Sequence, residues 1–197
     1  MTSSNLLNAT AGVLVAVAAV SLAAQASVPM PGTPVPQALQ TLAVVLVGVA
    51  LGPGVGAGAL VLYIVAGALG LPVFADGAAG AEHLRGPTAG YLAGFVVGAA
   101  VCGLWPRLAK RAGDDGEGSP GRLAVRREVV AVFLVALAGH VLILGLGWLR
   151  LAGMLRPALA FTSGVAPFLM GGVLKSALAA ALWGTFRLLP LRRGSAA

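Results

Sequence analysis

Apolar residues dominate this chain in long runs, and the breaks between runs predict where helices begin and end. The first run covers residues 6–26 and carries no charge. It is followed by residues 27–36, where four prolines and a glycine exclude a helix, because each proline lacks an amide donor and restrains the residue before it. A second, shorter run covers 36–51 and opens with Gln37, Gln40 and Thr41, which helical spacing puts on one face. Gly52, Pro53 and Gly54 form a turn into a third run, 55–71. A loop over 72–87 bears Asp76, Glu82, His83 and Arg85, and a fourth run, 88–105, carries Gly90, Gly94 and Gly98 four residues apart. Such a stripe suits close helix contact, here within the chain. Residues 106–128 are hydrophilic, and two further runs cover 129–149 and 165–189. No internal repeat is visible. The pattern predicts a single membrane domain over 1–197, an all-α bundle of six transmembrane helices.

Composition sharpens this reading. Hydrophobic residues make up 58% of the chain and charged residues only 10%, with a mean hydropathy of +0.95. A protein with a solvated surface cannot carry such values, so its solvent is lipid. The 29 glycines suit tightly packed membrane helices.

The net charge of +7 would suit nucleic acid were it spread over one face, but its distribution follows a membrane topology instead. Arg107, Lys110, Arg111, Arg122, Arg126 and Arg127 lie in the 106–128 connection, and Arg187, Arg192 and Arg193 lie at the C-terminal end. An even number of spans separates these groups, so both lie on one side. The positive-inside rule makes that side cytoplasmic and puts both termini there. This predicts a multi-pass membrane protein, with no nucleic-acid partner. Ala24-Gln25-Ala26 has the small-residue form of a cleavage site, but a signal peptide needs a basic start, and Met1 to Gly12 contains no Lys or Arg. The first run is therefore expected to stay.

Lys175 is the most informative residue, since it lies well inside the last apolar run. Insertion scales put a lysine near a helix centre at about 2.5 to 3.5 kcal/mol, so it should face a cavity, a partner or a ligand. The runs offer almost no carboxylate to neutralise it, and Gly171 and Gly172, one turn earlier, leave its face free of side-chain bulk. Two readings stand: Lys175 meets an anionic ligand, or it binds backbone carbonyls in a structural role.

His140 lacks the companion residues of a metal site and reads as an interhelical hydrogen-bonding group. Cys102, the single cysteine, reads as packing. Tyr63, Tyr91, Phe95 and Trp148 are candidates to stack on an apolar ligand. No nucleophile and base, metal-ligand spacing or phosphate-binding loop is present, so neither catalysis nor a cofactor is expected.

Three stretches resemble the BioY family, the substrate-capture components of energy-coupling-factor biotin transporters. They are VPMPGTPVPQALQTLAVVLVGVALGP (Val28 to Pro53), GLPVFADGAAG with GPTAGYLAGF (Gly70 to Phe95), and PFLMGGVLK (Pro167 to Lys175). The resemblance implies a six-helix vitamin-binding bundle whose first outer loop, 27–36, acts as a lid. Its implied partners are biotin, a transmembrane coupling protein and two ATPase subunits. By the same resemblance Lys175 contributes charge or hydrogen bonds, Gln40 and Thr41 serve polar atoms of the ligand, and Tyr91 and Trp148 pack on its apolar surface. The family's last-helix motif commonly reads Pro-Gly-Asp, and here Met170, Gly171 and Gly172 stand in its place. Gly172 thus lacks a carboxylate thought to bind the polar end of biotin, and Asp76 is a candidate to compensate. Ala19 and Ala23 resemble the small-residue surface on which such components dock to the coupling protein; ordinary helix packing would use the same spacing. Two rival readings stay open: capture of another small vitamin, and a membrane scaffold without a ligand.

Overall fold

The computed structural model describes residues 3–28, 32–105 and 122–188. Among the described residues seven α-helices follow one another: α1 (Ser3–Gln25), α2 (Gln40–Leu51), α3 (Pro53–Ala68), α4 (Ala89–Cys102), α5 (Arg122–Ala152), α6 (Pro157–Gly164) and α7 (Leu169–Leu188). A two-stranded antiparallel ribbon, β1 (Ser27–Val28) and β2 (Gln37–Ala38), joins α1 to α2, with Ser27 opposite Ala38. Short 3-10 turns cover Ala75–Gly77, Ala81–Leu84 and Ala166–Phe168.

Among the described residues three stretches are long and apolar enough to cross a membrane: Leu7–Gln25, Ala124–Ala152 and Pro157–Leu188. Gln40–Leu51, Pro53–Ala68 and Ala89–Cys102 are apolar but shorter. Many large hydrophobic side chains lie on the outside, among them Leu14, Leu22, Leu134, Val141 and Leu174. In water such a surface would drive association, whereas lipid solvates it.

Small residues let the helices approach. A Cβ at Gly94 would stand 2.7 Å from the Cα of Ile143, and one at Gly48 would stand 2.9 Å from the Cβ of Cys102. The glycine stripe of α4 is therefore the track on which α5 lies, and this pair makes the most extensive helix contact of the fold. On α1 the buried positions Ala16, Val20 and Ala24 recur every fourth residue and face the bundle. Gly52 adopts φ +81° between α2 and α3, a conformation glycine takes without steric cost, and Pro53 pre-sets φ for the first turn of α3.

Several boundaries differ from the sequence reading. The second helix begins at Gln40 rather than Pro36, so Gln37 lies on β2 and does not share a helical face with Gln40 and Thr41. Arg122 to Glu128, read as part of a loop, form the first turns of α5, because no proline or glycine follows Gly121 to stop the helix. Residues 106–121 of that loop, Pro29 to Pro31 of the first loop, and Arg192 and Arg193 lie outside the described residues. The last helical region starts earlier than 165. Pro157 opens α6, and an irregular Val165 (φ −124°, ψ −57°) separates it from α7.

Candidate ligand-binding site

The connections 26–39 and 69–88 meet at one end of the bundle. Gln25 donates to the carbonyl of Phe74 (3.0 Å), and Ser27 donates to the carboxylate of Asp76 (2.5 Å). The guanidinium of Arg150, near the end of α5, donates to the carbonyls of Arg85 and Gly86. Beneath this cover lies a cavity of about 510 Å³, within the roughly 300 to 1,000 Å³ usual for small-molecule sites.

Its roof comes from Pro34, Val35 and Pro36 and from the loop residues Phe74, Asp76 and His83; its walls come from α2, α3, α4, α5 and α7. The lining is mostly apolar, and Tyr91, Leu92, Phe95, Ile143, Leu144 and Phe168 contribute much of its bulk. Tyr63 and Phe74 meet edge to face at 5.6 Å, which holds the roof loop against α3.

Polar groups enter at a few points. The amine of Lys175 donates to the carbonyl of Ala38 at 2.5 Å and to the hydroxyl of Thr41 at 3.1 Å. An ammonium has three protons, so one stays available. Gln40 donates to the hydroxyl of Tyr63 (2.6 Å), which donates to the carbonyl of Val73 (3.0 Å). Tyr91 donates to the carbonyl of Gly164 (2.6 Å). These bonds satisfy buried donors and lock the side chains that shape the wall.

The structure thus brings Lys175, Gln40, Thr41, Asp76, Tyr91 and Gly172 to one cavity, although they come from four separate segments. Trp148 is a different matter. It stands outside the lining, and its indole N–H donates to the carbonyl of Pro157 (3.2 Å), tying α5 to α6. Ala19 is exposed and Ala23 half-buried, at the flank of the buried stripe of Ala16, Val20 and Ala24 on α1. His140, read from sequence as an interhelical hydrogen-bonding group, does make such a bond to Ser176 and also lines the cavity. Its signal was the one that marked Lys175, a polar side chain deep in an apolar run. Among the described residues no cluster of His, Cys, Asp or Glu could hold a metal ion.

The BioY family profile matches residues 1–190. A protein of Pyrococcus horikoshii named "Probable biotin transporter BioY" is 35% identical over 163 residues, 83% of this chain and 86% of that one. The "Biotin transporter BioY2" of Lactococcus lactis subsp. cremoris is 30% identical over 84% of this chain and 83% of its own length. Among solved structures, the S-component for biotin from an ECF-type ABC transporter superposes with a TM-score of 0.77, at 21% identity over 96% of this chain and 95% of that one. This last likeness is one of fold.

Proposed function

Given that the chain belongs to the BioY family, we propose that it takes up biotin across the cytoplasmic membrane as the substrate-binding component of an ECF-type transporter. The observation that carries the reading is the roofed apolar cavity with the Lys175 amine at its wall, two of its three protons engaged and no carboxylate within ion-pair range among the described residues. Biotin combines an apolar fused ring and chain with a ureido group and a carboxylate, the combination such a cavity suits. Relatives bearing transporter names fit a binding protein rather than an enzyme.

In this reading all six apolar regions cross the membrane, the shorter helices being completed by irregular backbone that is buried in protein rather than exposed to lipid. The arginine-rich side is cytoplasmic, both termini lie there, and the cavity opens outward. The segment 27–36 acts as the lid. Asp76, held by Ser27 at the roof, adds a carboxylate to the rim. The outer face of α1, with Ala19 and Ala23, meets the transmembrane coupling protein, which carries two ATPase subunits.

Calorimetry of biotin binding to the detergent-solubilised protein, wild type against Lys175→Ala, tests this. Tight binding that is lost in the variant supports it, and a folded wild type that binds no biotin refutes it. Gly172, where the family motif commonly has aspartate, favours a second reading, capture of a different small vitamin. A panel of vitamins in the same calorimeter separates the two.

A further inference from the structure

His140 is 4% exposed and borders the cavity, yet its Nε2 has no hydrogen-bond partner among the described residues. Its other ring nitrogen is fully engaged. Nδ1 lies 2.9 Å from the carbonyl oxygen of Ala136 and 3.1 Å from the hydroxyl oxygen of Ser176. A carbonyl only accepts. The single proton of Ser176 is already given to the carbonyl of Gly172, at 2.8 Å. Both neighbours of Nδ1 therefore act as acceptors, and Nδ1 must carry the proton it donates to them. In the neutral ring this leaves Nε2 as a bare acceptor.

A buried acceptor without a donor costs about 1 to 3 kcal/mol, a cost that a donor arriving with the ligand would remove. Gly172 puts no side chain of its own beside the ring: a Cβ there would be 3.7 Å from Cδ2, the carbon bonded to Nε2. The two polar groups at this part of the wall are thus complementary. Lys175 offers a proton, and His140 offers a lone pair.

We propose that Nε2 of His140 accepts a hydrogen bond from an N–H of the bound ligand and so selects for a cyclic urea or amide N–H. This rests on the reading of the cavity as a biotin site, where the N–H is that of the ureido ring. A carboxylate or an ether presents no proton to Nε2 and leaves it unpaired. The carbonyl of Gly172 and the hydroxyl of Ser176 fix the tautomer from the neighbouring helix.

The two amide replacements of histidine separate this role from a structural one. An asparagine amide reproduces Nδ1 and removes Nε2; a glutamine amide reaches the position of Nε2 and can accept there. In calorimetry with biotin, His140→Asn should bind about 10- to 100-fold more weakly than wild type, the loss of one buried hydrogen bond. His140→Gln should stay within about threefold. Wild type should bind biotin methylated on both ureido nitrogens at least about 10-fold more weakly than biotin.

The assignment is overturned by an asparagine variant as tight as wild type, by a glutamine variant as weak as the asparagine one, or by equal binding of biotin and its methylated form. Where the asparagine chain does not fold, the two-ligand comparison in wild type decides alone. A folded wild type that binds no biotin instead removes the biotin reading itself, and the urea selection with it.

Discussion

Glu128 with Arg187 at one end of the α5–α7 pair, and His140 with Ser176 and Lys175 further along it, are both polar clusters inside apolar helices. The twelve residues between Glu128 and His140 correspond to about 18 Å of helix rise. The first cluster is balanced in charge, although the Nε of Arg187 has no hydrogen-bond partner among the described residues. Arg187 pairs with one carboxylate oxygen of Glu128 at 2.5 Å, the indole of Trp183 donates to the other at 3.1 Å, and the charges cancel. The second is unbalanced. Among the described residues Lys175 has backbone and hydroxyl acceptors but no counter-charge, and His140 keeps a lone pair unmet. A cluster whose charges cancel joins helices, whereas one that keeps an unbalanced charge is suited to hold something that is not protein.

If that contrast holds, the two clusters respond oppositely to substitution. The largest effect is expected from Glu128→Ala, which leaves the half-buried Arg187 without its partner and should lower stability by about 3 kcal/mol. Thermal unfolding in detergent reads this, and biotin affinity of the folded fraction should stay the same. A variant that loses biotin binding without losing stability would break the comparison at its charge-balanced end.

Lys175→Met is the counterpart. Removing an uncompensated charge should change stability by less than about 1 kcal/mol, while the loss of a charge-assisted bond should weaken biotin binding by about 10- to 100-fold. Unfolding of this variant, with affinity retained where it folds, would assign Lys175 to the fold.

Thr41→Val sharpens the picture. It removes one of the two oxygens that orient the amine and should weaken binding by about fivefold with little change in melting temperature. Smallest of all is Trp148→Phe. It removes the bond to Pro157, should cost about 1 kcal/mol of stability, and should leave affinity unchanged because the indole lies outside the cavity. Weaker biotin binding by Trp148→Phe would move Trp148 back into the site.

The same contrast explains what could be read from the chain directly. Lys175 stood out because a lone charge in an apolar run violates a strong rule, and it needed no neighbour to be noticed. His140 carried half that signal. A single histidine has many uses, and what makes this one an acceptor is a hydroxyl from α7 whose own proton is spent one turn earlier. Trp148 and Tyr91 looked alike as aromatic residues, yet only Tyr91 turns toward the cavity. Helical spacing from residue 36 puts Gln37 on a face with Gln40 and Thr41, whereas pairing with Val28 holds it in the ribbon.

Read alone, the sequence determined that the chain lives in lipid, that its regular elements are helices, and that the lysine in its last apolar run calls for an explanation. These conclusions depend only on local composition, on proline and glycine chemistry, and on the cost of burying a charge, none of which requires knowing what lies next to what. The tertiary structure alone decided that Gln40, Thr41, His140, Gly172 and Lys175 share one cavity, that Glu128 is consumed by Arg187, and which nitrogen of His140 is bare. Those outcomes are set by contacts across up to 137 residues of chain, where the partner of a polar group, and not its type, fixes what it can still bind.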